Sequence, residues 1–194
     1  MGKVLGPTSS VQTGVNSQLD LYLGDNGPTV RLLAETTLGV DKLNFDRTGV
    51  DLVIETFLDL KTGTVQGYVK PMAVASRYEV KTPFTVCAIK GTEYQISADG
   101  VLHVMKGSVI VAYGVPANTY TVNAGQTFVP PAPTAAPGTP PVVRSTTPAD
   151  NVPTALPPEI SQPGIVEPIV EAPVTAPEPV EFVSPGTGQP AGQR

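Results

Sequence analysis

The chain has 194 residues and a formal net charge of −5 at pH 7, with 12 lysines and arginines against 17 acids. This balance argues against nucleic-acid binding, which needs a stripe of basic residues. No apolar run approaches the roughly 20 residues of a membrane-spanning helix, and the single cysteine excludes an internal disulfide.

Proline divides the chain into two parts. Only five of the 22 prolines precede residue 130, so 17 fall in the last 65 residues. A segment so rich in proline buries too little apolar surface to offset its chain entropy. The composition predicts a frayed N-terminus over residues 1–9, a folded domain over 10–129, and a disordered Pro-rich linker or tail over 130–194.

The first elements are predicted to be short strands. Val11–Thr13 is one, and Gln18–Leu23 alternates apolar and polar residues as a half-buried strand does. Gly24–Gly27 contains Asn-Gly, a strong hairpin-turn signal. Thr29–Glu35 then follows as the partner strand.

The next region mixes weak and strong signals. Thr36–Thr48 alternates poorly and is predicted to be an irregular loop. Val50–Leu60 is the longest alternating run and is predicted to be a strand, with a helix as the minor alternative. After a turn at Thr62-Gly63, Val65–Val69 is predicted to be another strand.

A β-rich stretch from Tyr78 to Tyr113 organises the rest of the domain. Its segments are rich in Val, Ile, Thr and Tyr, which suit a pleated, half-buried surface. Proline and glycine turns separate the segments. Four strands are predicted, Tyr78–Lys81, Thr85–Ile89, Tyr94–Ser97 and Val101–Tyr113, the last broken at Lys106-Gly107.

A weak internal repeat is also present. Leu60–Val65 resembles Met105–Val109, because both place a lysine and a glycine between two apolar runs. A repeated strand–turn–strand unit is typical of a coiling β architecture.

Several motifs in this order resemble the FecR family, whose pattern runs V-x-T-P, V-R-G-T-x-F, L-x-G-x-V and L-x-x-G-Q. The matching segments are Val80–Pro83, Ala88–Tyr94, Val104–Val109 and Val122–Gln126, and upstream Val11–Gly14 and Ser17–Leu21 resemble the family's opening. The resemblance covers residues 8–129. It departs at Lys90, where the family usually has arginine.

The resemblance implies an all-β fold, as a short-stranded β-solenoid or an irregular β-sandwich. It also implies a periplasmic or cell-surface location, although Met1–Gly6 does not have the pattern of a signal peptide. The cytoplasmic anti-sigma segment and membrane helix of the best-known member are not found in this chain. That member's signalling role therefore does not carry over by itself.

Lys90, Gly91, Thr92 and Glu93 form the candidate binding motif. Gly91 would permit a close backbone approach, and Lys90 could bind an acidic partner. The structural alternative is that Gly91 takes the turn, Thr92 caps it by a hydrogen bond, and Lys90 pairs with Glu93 or Glu79.

Catalytic chemistry has little support in the sequence. His103 is the only histidine, and Cys87 or Ser108 would have to serve as its nucleophile. Their neighbours instead predict a strand histidine with a satisfied ring and a buried, unreactive thiol. No cysteine–histidine cluster or Gly-rich phosphate loop is present, so no cofactor and no metal are predicted.

The sequence therefore predicts a non-enzymatic, extracytoplasmic protein-interaction or regulatory domain with a Pro-rich spacer. Its partner would be another protein, reached through an exposed strand edge. The alternative is a self-assembling surface or filament subunit that pairs edges between identical chains. An enzyme that uses His103 is the third hypothesis.

Overall fold

The alternating segments of the sequence form fourteen β-strands among the described residues. In the computed structural model these residues are 8–24, 29–136, 138–153 and 155–156. All of them belong to one unit, residues 1–164, and the second unit, residues 165–194, lies outside the described part. The described residues contain no α-helix and one complete 3-10 helix, at Pro148–Asp150, so the predicted all-β class is confirmed.

The strands form two seven-stranded sheets and are numbered in chain order. Sheet A contains β1 (Ser9–Gln12), β4 (Thr37–Asp46), β5 (Val53–Thr62), β7 (Arg77–Lys81), β8 (Thr85–Ile89), β11 (Ser108–Tyr113) and β12 (Asn118–Asn123). Sheet B contains β2 (Leu19–Tyr22), β3 (Thr29–Leu32), β6 (Thr64–Tyr68), β9 (Glu93–Ser97), β10 (Leu102–Lys106), β13 (Gln126–Val129) and β14 (Val142–Ser145).

Each sheet grows in the order of the sequence. The chain passes repeatedly from one sheet to the other and adds its next strand or hairpin beside the previous one. All neighbouring strands pair antiparallel except β5 and β7, which are parallel because the intervening β6 lies in sheet B. The fold therefore combines the sequential growth of a solenoid with the two layers of a sandwich, the two architectures predicted.

A single hydrophobic core contains side chains from both sheets. Tyr78 of sheet A and Tyr94 of sheet B are buried, with their hydroxyl oxygens 3.3 Å apart. Burial raises the pKa of both phenols, so they stay neutral. The largest fully buried side chains are Tyr78, Tyr94, Phe128, Leu32, Leu38, Leu58, Leu60, Ile96, Leu102, Val30 and Val40.

The irregular loop predicted at Thr36–Thr48 is wrong, because β4 occupies most of it. The pairing with β5 shifts between Val40 and Lys42, which marks a β-bulge. One extra residue in a strand reverses the alternation of everything after it. Thus Leu38 and Phe45 lie on the same face of sheet A, although an odd number of positions separates them in the sequence.

The predicted domain limits also need correction. Ser9 pairs with Val40, so strand pairing begins one residue before the predicted start. β14 pairs with β13 beyond residue 129, because Val142–Ser145 contains no proline and can donate its backbone N–H groups. The Asn-Gly turn and the tail beyond residue 156 lie outside the described residues, although β2 and β3 pair as predicted around that turn.

A glycine lies at each of the two places that the sequence repeat indicated. At both, the chain passes from one sheet to the other, and we call such a connection a crossing. Gly63 joins β5 to β6 with a φ of +79°, and Gly107 joins β10 to β11 with a φ of +82°. The first crossing runs from sheet A to sheet B and the second runs back. The repeat therefore reflects a shared need for a left-handed residue at a sharp change of sheet. None of the helices in the described part could cross a membrane.

Candidate functional site

The Lys90–Glu93 motif lies where three backbone segments meet. Gly91, with a φ of +69°, turns the chain between β8 and β9. The backbone N–H of Val69 donates to the carbonyl oxygen of Thr92 at 2.9 Å. A Cβ on Gly107 would lie 2.5 Å from the carbonyl oxygen of Gly91, so the β10–β11 crossing packs directly on this turn.

Thr92 holds this junction together. Its side chain is fully buried, and Oγ1 donates toward the carbonyl oxygens of Ser108 at 2.9 Å and Lys90 at 3.3 Å. A buried carbonyl without a partner costs about 1–3 kcal/mol, so this hydroxyl stabilises the turn. Gly91 and Thr92 thus have the structural roles that the sequence offered as the alternative.

Three exposed lysines surround the turn, and together with Gly91–Glu93 they form what we call the lysine site. Lys90 begins the motif, Lys106 precedes Gly107, and Lys70 precedes Pro71, whose Cα would lie 3.4 Å from a Cβ on Gly91. Three of the twelve basic residues of an acidic chain are therefore carried by adjoining backbone segments. The site is suited to an acidic ligand group.

The predicted ion pairs of Lys90 are not the ones observed. Glu93, only 9% exposed, has its Oε1 4.0 Å from the Nζ of Lys106. Glu79 instead pairs with Arg77 at 2.8 Å. Neither carboxylate pairs with Lys90, and that lysine stays exposed at the end of β8.

A second junction, which was not predicted from the sequence, is built in the same way. Thr36 is buried, and its Oγ1 donates toward the carbonyl oxygens of Thr64 at 3.0 Å and Ala34 at 3.3 Å. The preceding Glu35 has a φ of +55°, as Gly91 has +69°. A left-handed residue followed by threonine is the shared signal, but glutamate in place of glycine hid it. This junction carries an acidic residue where the lysine site carries glycine.

The structure separates the residues considered for catalysis. Cys87 faces the core, fully buried, where burial raises the pKa of its thiol to about 12. His103 lies on the face of sheet B that is turned away from the core, because its neighbours Leu102 and Val104 face the core. Its Nδ1 is hydrogen bonded to Thr127 Oγ1 at 2.8 Å, the satisfied ring that the sequence predicted.

We expect stability to fall between neutral and mildly acidic pH because of His103. Burial has the largest effect and lowers the pKa of its imidazole; Arg144 lowers this pKa further, and Asp150 and Asp99 oppose the shift. The unfolded chain therefore binds a proton as the pH falls below about 6.5, while the folded chain resists it until lower pH. Stability should be constant above that value and decrease below it, levelling off under the folded-state pKa.

Urea unfolding midpoints measured from pH 7.5 to 5 will test this expectation against His103→Gln. The variant keeps a polar side chain but does not titrate, so its midpoint should change less across the window. Equal pH dependence in the two proteins would contradict the assignment.

The part of the chain that the structure describes contains no candidate metal site. No group of three histidine, cysteine, aspartate or glutamate side chains there is suited to hold an ion. The carboxylate of Asp20, beside the β2–β3 turn, is not a metal ligand in this arrangement, because both of its oxygens accept hydrogen bonds from the Arg31 guanidinium, at 2.6 and 2.7 Å.

Comparison with known proteins agrees with this architecture. The sequence model of the family described as FecR protein matches residues 9–110, more than half of the chain. The chain belongs to the FecR family. The match ends inside β11, so the FecR region includes the lysine site and the β4–β5 hairpin. No curated protein matches the chain in sequence.

Solved structures with a similar fold are also found. Two crystal structures of a proposed anti-sigma factor from Parabacteroides distasonis ATCC 8503, at 1.65 and 2.50 Å resolution, each give a TM-score of 0.53 with 13% sequence identity. Each alignment covers 71% of this chain and 59% of the other chain. This likeness supports the fold.

Proposed function

We propose that this chain is a non-enzymatic regulatory domain that binds an acidic segment of another protein, in the periplasm or at the cell surface. Membership in the FecR family supports the regulatory role, and the fold shared with a proposed anti-sigma factor is consistent with it. The Pro-rich residues after Leu156 act as a spacer, since prolines favour extended conformations.

The lysine site is the observation that carries this proposal. Gly91 and Thr92 are held by contacts with two neighbouring crossings, so Lys90 projects from a rigid turn. A preorganised site loses less side-chain and backbone freedom on binding than a mobile loop. Lys70 adds positive charge beside it, while Lys106 is partly balanced by Glu93, so the site keeps a net positive charge that favours encounter with an acidic partner.

The test is cross-linked affinity capture from the envelope fraction of the source organism, with the full chain as bait. Lys90→Glu should lower recovery of the specific partner about tenfold, since charge reversal replaces attraction by repulsion at the rim. Capture should also weaken as salt is raised.

Lys61→Glu is the matched control, because Lys61 is an exposed lysine beside the related Gly63 crossing. Its recovery of the partner should equal that of the unaltered protein. Equal losses in the two variants would show a general charge effect and reject the lysine site.

Self-assembly is a second candidate because both sheets end in strands with no described neighbour on one side. These are β1 and β2 at one end and β12 and β14 at the other. Unpaired backbone groups of such strands can pair with another chain. Light scattering over a hundredfold concentration range decides: a rising mass favours assembly, and a constant monomer mass favours a different partner protein.

A further inference from the structure

The β4–β5 hairpin projects beyond the strands beside it. On one side β1 pairs only with Thr37–Val40, and on the other β7 pairs only with Glu55–Asp59. Asp41–Asp46 of β4 therefore has β5 on one side and no described strand on the other. We call Asp41–Asp46 the open edge.

A cleft of about 540 Å³ follows this edge. Its lining includes four consecutive residues of β4, Leu43 to Asp46, together with Val53 and Glu55 of β5. Successive strand residues point to opposite faces, so a cleft that touches four in a row runs along the strand. Its shape suits an extended chain.

Apolar side chains are exposed beside the cleft. Phe45 is 56% exposed although it belongs to a strand, and Leu52 is 38% exposed. Val50 at the hairpin tip is fully exposed. An exposed apolar cluster next to unpaired backbone is the combination that a strand-adding peptide uses, with main-chain hydrogen bonds for affinity and side-chain contacts for specificity.

The charge of the hairpin indicates the chemistry of its partner. Asp41, Asp46 and Asp51 are all exposed. Of the two bases in the hairpin, Lys42 pairs with Glu55, with its Nζ 2.6 Å from Oε2, and Arg47 keeps its charge with its guanidinium 5.3 Å from the Phe45 ring centroid. Four acids against two bases still leave residues 41–55 with a net negative charge. The rim of the cleft is acidic, so a strand that carries lysine or arginine complements it.

The backbone at the end of β1 nearest the open edge departs from extended geometry. Thr8, directly before β1, has a φ of +66°, which interrupts an extended run. The residue before it is Pro7, which has no N–H to give to a ladder. A strand that continued from β1 along the open edge would be broken at both positions.

We propose that the open edge of β4 binds an extended segment of a partner protein that alternates apolar with basic residues. This segment adds to sheet A as a strand antiparallel to β4 and places its apolar residues against Phe45. The surface is separate from the lysine site and has the opposite charge, so the chain offers two different contacts to its partners.

The probe is a blocked octapeptide of alternating lysine and valine, titrated into the full chain and followed by fluorescence anisotropy. Hydrogen exchange should show new protection of those backbone amides of Asp41–Asp46 that point away from β5. An N-methylated peptide keeps the side chains but loses backbone donors, and should bind about tenfold more weakly. Replacing its lysines with glutamate should weaken binding to a similar extent.

Variants of the protein locate the contact. Phe45→Ser should weaken binding about tenfold, and Asp41→Lys should weaken it several-fold and reduce the salt dependence. Val74→Ser, at a residue 93% exposed and outside the hairpin, should leave binding unchanged. Both hairpin positions are exposed, and unchanged thermal unfolding will confirm that the variants fold.

The proposal is overturned if the peptide does not bind, if N-methylation has no effect, or if the protected amides lie elsewhere. Without peptide, protection of the Asp41–Asp46 amides that point away from β5 would indicate another occupant. If that protection rises with protein concentration, the occupant is a second copy. If it disappears on deletion of residues 1–7, the occupant is the N-terminus. None of these results bears on the lysine site, which is tested separately by Lys90→Glu.

Discussion

Replacing Gly63 with alanine is expected to lower the free energy of unfolding by about 2–5 kcal/mol. Gly63 has a φ of +79°, which costs a residue with a Cβ about 1–2 kcal/mol. The added Cβ would also lie 2.5 Å from the Cα of Thr36 and 2.8 Å from the carbonyl oxygen of Glu35. These are backbone atoms, so the two crossings would have to separate.

Gly125→Ala is the control for this substitution. Gly125 has a similar φ of +75°, but no heavy atom lies within 4 Å of its built Cβ. Gly125→Ala should therefore lower the free energy of unfolding only by the conformational cost of about 1–2 kcal/mol. Urea denaturation of both variants gives the two decreases in the free energy of unfolding. The extra decrease for Gly63→Ala measures how tightly Thr36 packs against the β5–β6 crossing. Equal decreases would show that this steric contact does not affect stability.

Replacing Gly67 with alanine is expected to cost about 2–4 kcal/mol by a different mechanism, overpacking of the core. The new Cβ would lie 2.5 Å from Cζ and 2.4 Å from Oη of Tyr94. Tyr94 is fully buried and its hydroxyl contacts that of Tyr78. The ring must therefore move, and both hydroxyls lose a good partner. Gly67 does not have a positive φ, so backbone strain does not contribute.

A double-mutant cycle with Tyr94→Leu will isolate this clash. Tyr94→Leu alone leaves a cavity and is destabilising. The same Gly67→Ala change in the Tyr94→Leu background should be neutral or stabilising, since the methyl group then enters vacant space. An additive cycle, with no interaction energy between the two positions, would contradict the steric explanation. Denaturant midpoints give all four free energies.

Local signals in the sequence were enough to place most strands. The segment Thr85–Ile89 is predicted and observed with the same limits, because buried and exposed residues alternate without interruption. β4 was missed because its bulge interrupts that alternation. A bulge depends on how the partner strand is registered, which a single segment of sequence does not reveal.

The candidate site shows the same division. The turn at Gly91 and the hydrogen-bonding role of Thr92 follow from the residues themselves. The ionic partner of Glu93 does not, because the opposing residue is Lys106 on the neighbouring strand β10. The sequence offered the nearby Lys90 instead. Likewise, the separation of His103 from Cys87 depends on which sheet, and which face of it, each strand presents.

The amino-acid pattern alone determines that this chain is a β protein of the FecR family, with glycine at its turns and proline concentrated after residue 129. These properties depend on near neighbours, through alternation, turn geometry and backbone restriction. Only the tertiary structure decides that the strands of both sheets follow sequence order, that three lysine-bearing segments adjoin, and that Asp41–Asp46 has no described strand on one side. Each of these depends on register between strands distant in the chain, and register is set by the packing of the whole core.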